Sequence, residues 1–285
     1  MPLDPRRALA AAPREHEISW APRDVQLYHL GIGAGIPATD PAELRYTLES
    51  RLQVLPSFVT VAGGARSDPG GGLRTPGVEV DPAAVLHGGQ TIRLHRPVPP
   101  SGSARLSSRI AEIHDKGTAA VLVLRGEAAD GDGPLWTSDA RIFVRGEGGF
   151  GGDRGPSGRP DPPSGDPVAT VERAVREDQA LLYRLSGDLN PLHADPEFAA
   201  RAGFDRPILH GLCSYGITLK AVVDTLLGGE TARVTSYRTR FAGVVFPGET
   251  LRIRLWPGEQ RVRVEVSAVE RGDAPVLTDT VVEHV

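Results

Sequence analysis

The chain has 285 residues, 40% hydrophobic and 24% charged, with a formal net charge of -4. That length allows one large domain or two small ones, and a mildly acidic balance without a basic cluster argues against a nucleic-acid partner. Two lysines, Lys116 and Lys220, stand against thirty arginines, which with abundant Ala, Gly and Pro reads as coding bias, not function. The single Cys213 rules out an internal disulfide and fits a reducing compartment. The opening "MPLDPRRALAAAPREHEISW" carries charges where a signal peptide needs an apolar core. No apolar run is long enough to span a bilayer. The expectation is a cytoplasmic protein without a membrane partner.

In chain order, "GIGAG" at 31–35 superficially resembles a nucleotide-binding glycine loop. No strand–loop–helix unit surrounds it, and a lone glycine pattern is weak. Further on, "RPVPPSGSARLSSRIAEIHDKGTAAVLVLRGEA" sets a Pro-Ser-Gly turn before one strand, and the charged turn Asp115-Lys116-Gly117 before the next. The stretch 145–167, "RGEGGFGGDRGPSGRPDPPSGDP", loses apolar periodicity and reads as a linker or long surface loop. The predicted organisation is therefore an N-terminal unit over 1–150, a linker over 151–167 and a C-terminal unit over 168–285.

The second unit is clearer. A short helix is expected over about Glu177 to Ser186, broken by Gly187 and Pro191. Asp195-Pro196-Glu197 caps and starts another helix, which Gly203 closes. Ile208, Leu212, Tyr215, Leu219, Val222 and Leu226 then recur at spacings of four and three, one apolar face of a long helix stopped by Gly228-Gly229. Strands follow: "LRIRLW" and "RVRVEV" alternate apolar and charged residues about a turn at Gly258-Glu259-Gln260. Pro247-Gly248, strand, turn, strand repeats the order seen in the first unit, which suggests a tandem duplication of an α+β fold. Nothing in the first unit matches "GDLNPLH".

That loop, "LSGDLNPLH" at 185–193, carries the chemistry. In a helix, Asp188 and His193 would lie about 140° apart; in a broken loop they can turn to one point with Asn190. An acid, a base and an amide suit addition or removal of water next to a carbonyl. His193 is the natural base near neutral pH; Asp188 supplies the acid or orients the water, and Asn190 holds it. Gly211, near the start of the long helix, offers unpaired N–H groups to a developing negative oxygen. The histidines show no metal-ligand spacing, so no metal is expected. His210 reads as a core or capping residue, Cys213 as packing, and Trp20, Trp136 and Trp256 as core or edge residues.

"YRLSGDLNPLHADPEFAARAGFDRPILHGLCSYG" resembles the signature of the MaoC-like, type 2 (R)-specific enoyl-CoA hydratases of the hot-dog fold. "YHLGIGAG", "LPSF", "VLHGGQ", "HDKG", "GGFGG" and "RFAGVVFPGETL" are similar, in order, to segments of the two-hot-dog members. The resemblance implies a double hot-dog: two tandem repeats, an antiparallel sheet wrapped around a long central helix, and a first repeat that has lost its catalytic loop and accommodates the acyl chain. It implies reversible hydration of trans-2-enoyl-CoA to (3R)-3-hydroxyacyl-CoA, with Asp188 and His193 as the catalytic pair, Asn190 holding water and Gly211 as oxyanion donor. His87, Gly88, Lys116 and Phe241 match acyl-CoA contacts. No cofactor is implied beyond the CoA of the substrate, and a homodimer is expected. Three rival readings remain: a 3-hydroxyacyl-ACP dehydratase, a hot-dog thioesterase, and a non-catalytic acyl-thioester-binding module.

Overall fold

The structure is a computed structural model that describes residues 3–64, 75–81, 84–156 and 163–285. After a one-turn helix α1 (Pro5–Leu9) come β1 (Arg14–Trp20), α2 (Pro22–Gly31) and α3 (Pro41–Leu44). Four strands follow: β2 (Val85–Leu94), β3 (Gly102–Asp115), β4 (Ala119–Asp130) and β5 (Gly133–Arg145). The second half runs β6 (Ala169–Ala174), α4 (Gln179–Tyr183), α5 (Pro196–Arg201) and α6 (Gly211–Leu226). It ends with β7 (Val234–Phe241), β8 (Thr250–Pro257), β9 (Arg261–Ala268) and β10 (Ala274–His284).

All ten strands join one sheet in the order β1-β3-β4-β5-β2-β7-β10-β9-β8-β6. Read inward from either end, the order is first, third, fourth, fifth, second, once for β1–β5 and once for β6–β10. The repeated turn–strand–turn–strand segments are thus β3–β4 and β8–β9, at matching places in the two halves. The halves meet where β2 runs antiparallel to β7, with Gly89 opposite Arg240 and Thr91 opposite Arg238. This is the double hot-dog arrangement expected from the sequence.

The alternation in "LRIRLW" places Leu251, Ile253 and Leu255 fully inside. These side chains meet α6, which differs from its expected one-faced form: every residue from Leu212 to Val223 is buried. The sheet covers one side of α6. A short 3-10 turn over Pro56–Thr60, itself buried throughout, packs on the helix from the first half. Within α6, Thr218 Oγ1 donates to the Ser214 carbonyl at 2.8 Å. Tyr215 stacks on Tyr237 at 3.9 Å, and each hydroxyl donates to the other's main-chain carbonyl. Burial pushes both phenols far above their ordinary pKa. Trp20 and Trp136 lie in the core, while Trp256 is half-buried and donates to the Gly165 carbonyl. Cys213 is fully buried, with burial raising its thiol pKa, as suits packing and not nucleophilic attack.

Of the Gly-rich stretch, residues 157–162 lie outside the described part. Its beginning is held down. The Asp115 carboxylate accepts N–H bonds from Gly149, Gly117 and Gly151 at 2.7–2.8 Å, which keeps its pKa at about 2.

His29 closes the first half. Its Nδ1–H donates to the Tyr46 carbonyl at 2.8 Å, and its Nε2 accepts the Leu55 N–H at 3.2 Å. This neutral tautomer satisfies both backbone groups, and burial lowers the pKa from 6.5 to about 4. Below pH 6.5 the unfolded chain takes up this proton and the native one does not, so His29 makes stability fall as pH drops from 6.5 towards 4. His29→Leu leaves two buried backbone groups unpaired and is expected to cost about 2–4 kcal/mol, read as a lower urea midpoint at pH 7.

Candidate active site

The predicted helix begins as α4, tightens into a 3-10 turn over Arg184–Ser186 and stops at Gly187, where φ is 118°. A side chain at Gly187 would be strained by that backbone, and its Cβ would stand 3.0 Å from the Gly64 carbonyl oxygen. The chain can therefore reverse close against the first half. Pro191 keeps Asn190 out of helical geometry, with ψ at 122°. Asp188 Oδ1 accepts the Asn190 N–H at 3.2 Å, and Asn190 Oδ1 accepts the Leu192 N–H at 3.0 Å. With its oxygen so used, Asn190 has its amide NH2 left for a ligand.

The turn over Pro191–His193 carries the imidazole inward, to 9% exposure. His193 Nδ1 lies 2.8 Å from the Ile208 carbonyl, which can only accept, so Nδ1 carries the hydrogen and Nε2 keeps its lone pair. Burial is the main cause that lowers the His193 pKa; the Ile208 carbonyl and the Asp188 charge pull the other way, and Arg184 adds to the lowering.

His210 is buried to 1% exposure, in keeping with its reading as a core residue. It occupies the cap position of α6, yet its side chain caps nothing there. Its Nε2–H donates to the Asp188 carbonyl at 3.1 Å, and its ring stacks on His193 at 3.8 Å. Burial, then the neighbouring His193, lowers its pKa to about 2, so it stays neutral. Its Nδ1 has no hydrogen-bond partner among the described residues. His210 thus positions the loop and pads the base from below. Its contact with Asp188 spans 22 residues and needs the folded chain.

The ligand atoms of Asp188, His193 and His210 lie within 4.8 Å of one another, a spacing at which a metal could be considered. The geometry argues against it. The two rings stack at 3.8 Å and are inclined by only 30°, so their lone pairs lie in separate, nearly parallel planes that do not meet at one ion beside the rings.

The loop faces a cavity of about 1050 Å³ that also reaches the first residues of α6. There the first N–H groups of the helix have no partner within it. Phe241 covers Gly211, where a Cβ would meet its ring at 3.2 Å, and His87 packs edge-on against Phe241 at 4.8 Å. All eight residues singled out from the sequence, namely Asp188, Asn190, His193, Gly211, His87, Gly88, Lys116 and Phe241, line this one cavity. Lys116 lies at its far end, where Nζ donates to the carbonyls of Arg154 and Pro156. The sequence reading missed Arg141, Arg238 and Arg240, which also line the cavity. The alternation of Arg238 and Arg240 was visible in "SYRTRF"; Arg141 joins them only through sheet register.

The sequence profile of the MaoC like domain matches residues 160–276, and that of the MFE-2 hydratase 2 N-terminal domain matches residues 19–146. Enoyl-CoA hydratase ChsH3 of Mycobacterium tuberculosis is 48% identical over 98% of both chains. Peroxisomal enoyl-CoA hydratase 2 of Arabidopsis thaliana is 39% identical, covering 90% of this chain and 88% of its own. A MaoC-like dehydratase from Phytophthora capsici superposes with a TM-score of 0.87 at 30% identity, over 98% of each chain. The chain belongs to the MaoC-like hydratase 2 family of double hot-dog proteins.

Proposed function

We propose that the chain catalyses reversible hydration of trans-2-enoyl-CoA to (3R)-3-hydroxyacyl-CoA. The observation that carries this reading is the His193 tautomer: Nδ1–H is tied to Ile208, and the basic Nε2 is left beside Asp188 in the same cavity as the N-terminus of α6. His193 takes a proton from water as the water oxygen bonds to C3 of the enoyl group. Asp188 delivers a proton to C2, and return of the proton from imidazolium to carboxylate resets the pair. The amide of Gly211 holds the thioester oxygen while it carries enolate charge, and Asn190 NH2 orients the water. Hydroxyl and proton arrive from one side, so the addition is syn.

In this reading residues 1–150 accommodate the acyl chain and CoA, 151–167 connect the halves, and 168–285 carry the catalytic loop. His87, Gly88, Lys116 and Phe241 contact the thioester and its carrier. No cofactor or metal is required beyond the CoA of the substrate. A homodimer, carried by the family resemblance, and a cytoplasmic location complete the proposal; the free, buried Cys213 fits a reducing compartment. No described helix is long and apolar enough to cross a membrane.

A thioesterase would use the same acid, base and oxyanion donor, so the test must separate water added to C3 from water added to the thioester. With trans-2-octenoyl-CoA, the enoyl absorbance is expected to fall with no free thiol released. Stoichiometric thiol release would instead identify a thioesterase.

A further inference from the structure

We propose that Arg141 and Arg240, flanking Gly89 on the outer face of the sheet, grip the phosphates of CoA and make CoA the preferred acyl carrier. This rests on the hydratase reading above and names the handle by which its substrate is held. Gly89 on β2 is paired with Arg141 of β5 on one side and with Arg240 of β7 on the other. Residues paired across strands point to the same face, so both arginines rise on either side of a position that has no side chain. The two backbones stand about 10 Å apart, two strand spacings, a span that two arginine arms can close over one anion. Arg141 already leans inward: its Cδ lies 3.7 Å from where a Cβ of residue 89 would be. Arg238, two residues before Arg240, adds a third positive charge on that face and is paired with Thr91.

The charges in this row are unbalanced. Among the described residues, Arg141, Arg238 and Arg240 make no ion pair and no side-chain hydrogen bond, and all three are exposed. Two other sheet arginines are matched: Arg125 holds Asp139 through two bonds of 2.7 and 2.8 Å, and Arg252 pairs with Glu172. Thus Asp139, the acid across from Thr91 on β5, is already engaged. Among the described residues, Asp279 is the one carboxylate besides Asp188 that lines the cavity. Clustering like charges on neighbouring strands costs stability, and an anionic ligand would repay it through charge-assisted, forked hydrogen bonds. The three arginines line the same cavity as Asp188 and His193, so a ligand held at Gly89 is continuous with the catalytic loop.

The test is calorimetric titration of the full chain with CoA, 3′-dephospho-CoA and pantetheine, for wild type and for Arg141→Gln and Arg240→Gln. Wild type is expected to bind CoA at least tenfold more tightly than pantetheine, and each substitution to weaken CoA about tenfold. If the arginine effect disappears with 3′-dephospho-CoA, the 3′-phosphate is the group held; if it persists, the diphosphate is. Equal CoA affinity in wild type and both variants, or no preference for CoA over pantetheine, overturns the proposal. Binding is read without turnover, so a wild type that binds CoA through these arginines yet hydrates no enoyl thioester would refute the hydratase reading alone.

Discussion

His193→Ala is expected to lower kcat for enoyl-CoA hydration by about 10²- to 10⁴-fold, the range for loss of a positioned general base, while CoA binding is retained. The Nδ1–H bond to Ile208 serves to aim Nε2, and alanine removes both the base and its orientation. Asp188→Asn is expected to fall in the same range, because the amide keeps the shape and loses the exchangeable proton. The two effects should not add, since acid and base act as one unit. The pH profile follows from burial. Protonation removes the Nε2 lone pair, and burial holds the His193 pKa below its ordinary 6.5, so the acid limb of activity should lie below that value. An acid limb above 6.5 would show that the imidazole is not the buried, neutral group seen here.

Lys220→Met is expected to cost about 3–5 kcal/mol, the loss typical of removing one partner from a buried ion pair. Lys220 Nζ lies 2.6 Å from Glu43 Oε1 and 2.7 Å from Asp224 Oδ2, with its side chain 6% exposed. The ammonium also sits 4.8 Å from the centre of the Tyr46 ring, whose hydroxyl donates to Asp224 at 2.6 Å. Methionine fills the volume but leaves two carboxylates facing each other without a cation. Glu43 also accepts the Gly35 N–H at 2.9 Å, so the damage would reach the turn between α2 and α3. Urea unfolding gives the measure. Lys220→Met/Glu43→Gln/Asp224→Asn should recover part of the loss, because the repelling charges are gone. A loss below about 1 kcal/mol for the single variant would mark a solvated pair instead.

Much of the second half was legible because its signals are local. Gly187, Pro191 and Asp195 fix where helices stop and start through backbone chemistry, and β8 alternates strictly because one face meets α6. Lys220 was not legible: a lysine in a helix suggests a solvent-facing side, yet its acids come partly from Glu43, 177 residues away. The first half was harder. The part of the first half that packs on α6 is the short turn Pro56–Thr60, with no long apolar period to announce it. The candidate site was legible as residue types; its geometry was not. The loop sequence offers Asp188 and His193, but Ile208, His210 and the arginines beside Gly89 arrive through contacts between distant segments.

Hydration in this cavity delivers the water oxygen to a single face of C3 of the enoyl thioester. The most direct test is chiral analysis of the product formed from trans-2-octenoyl-CoA by the purified protein, with Asp188→Asn as the blank. The expected product is (3R)-3-hydroxyoctanoyl-CoA, formed by the wild type and absent from the blank. The (3S) product, or equal turnover by Asp188→Asn, would contradict it.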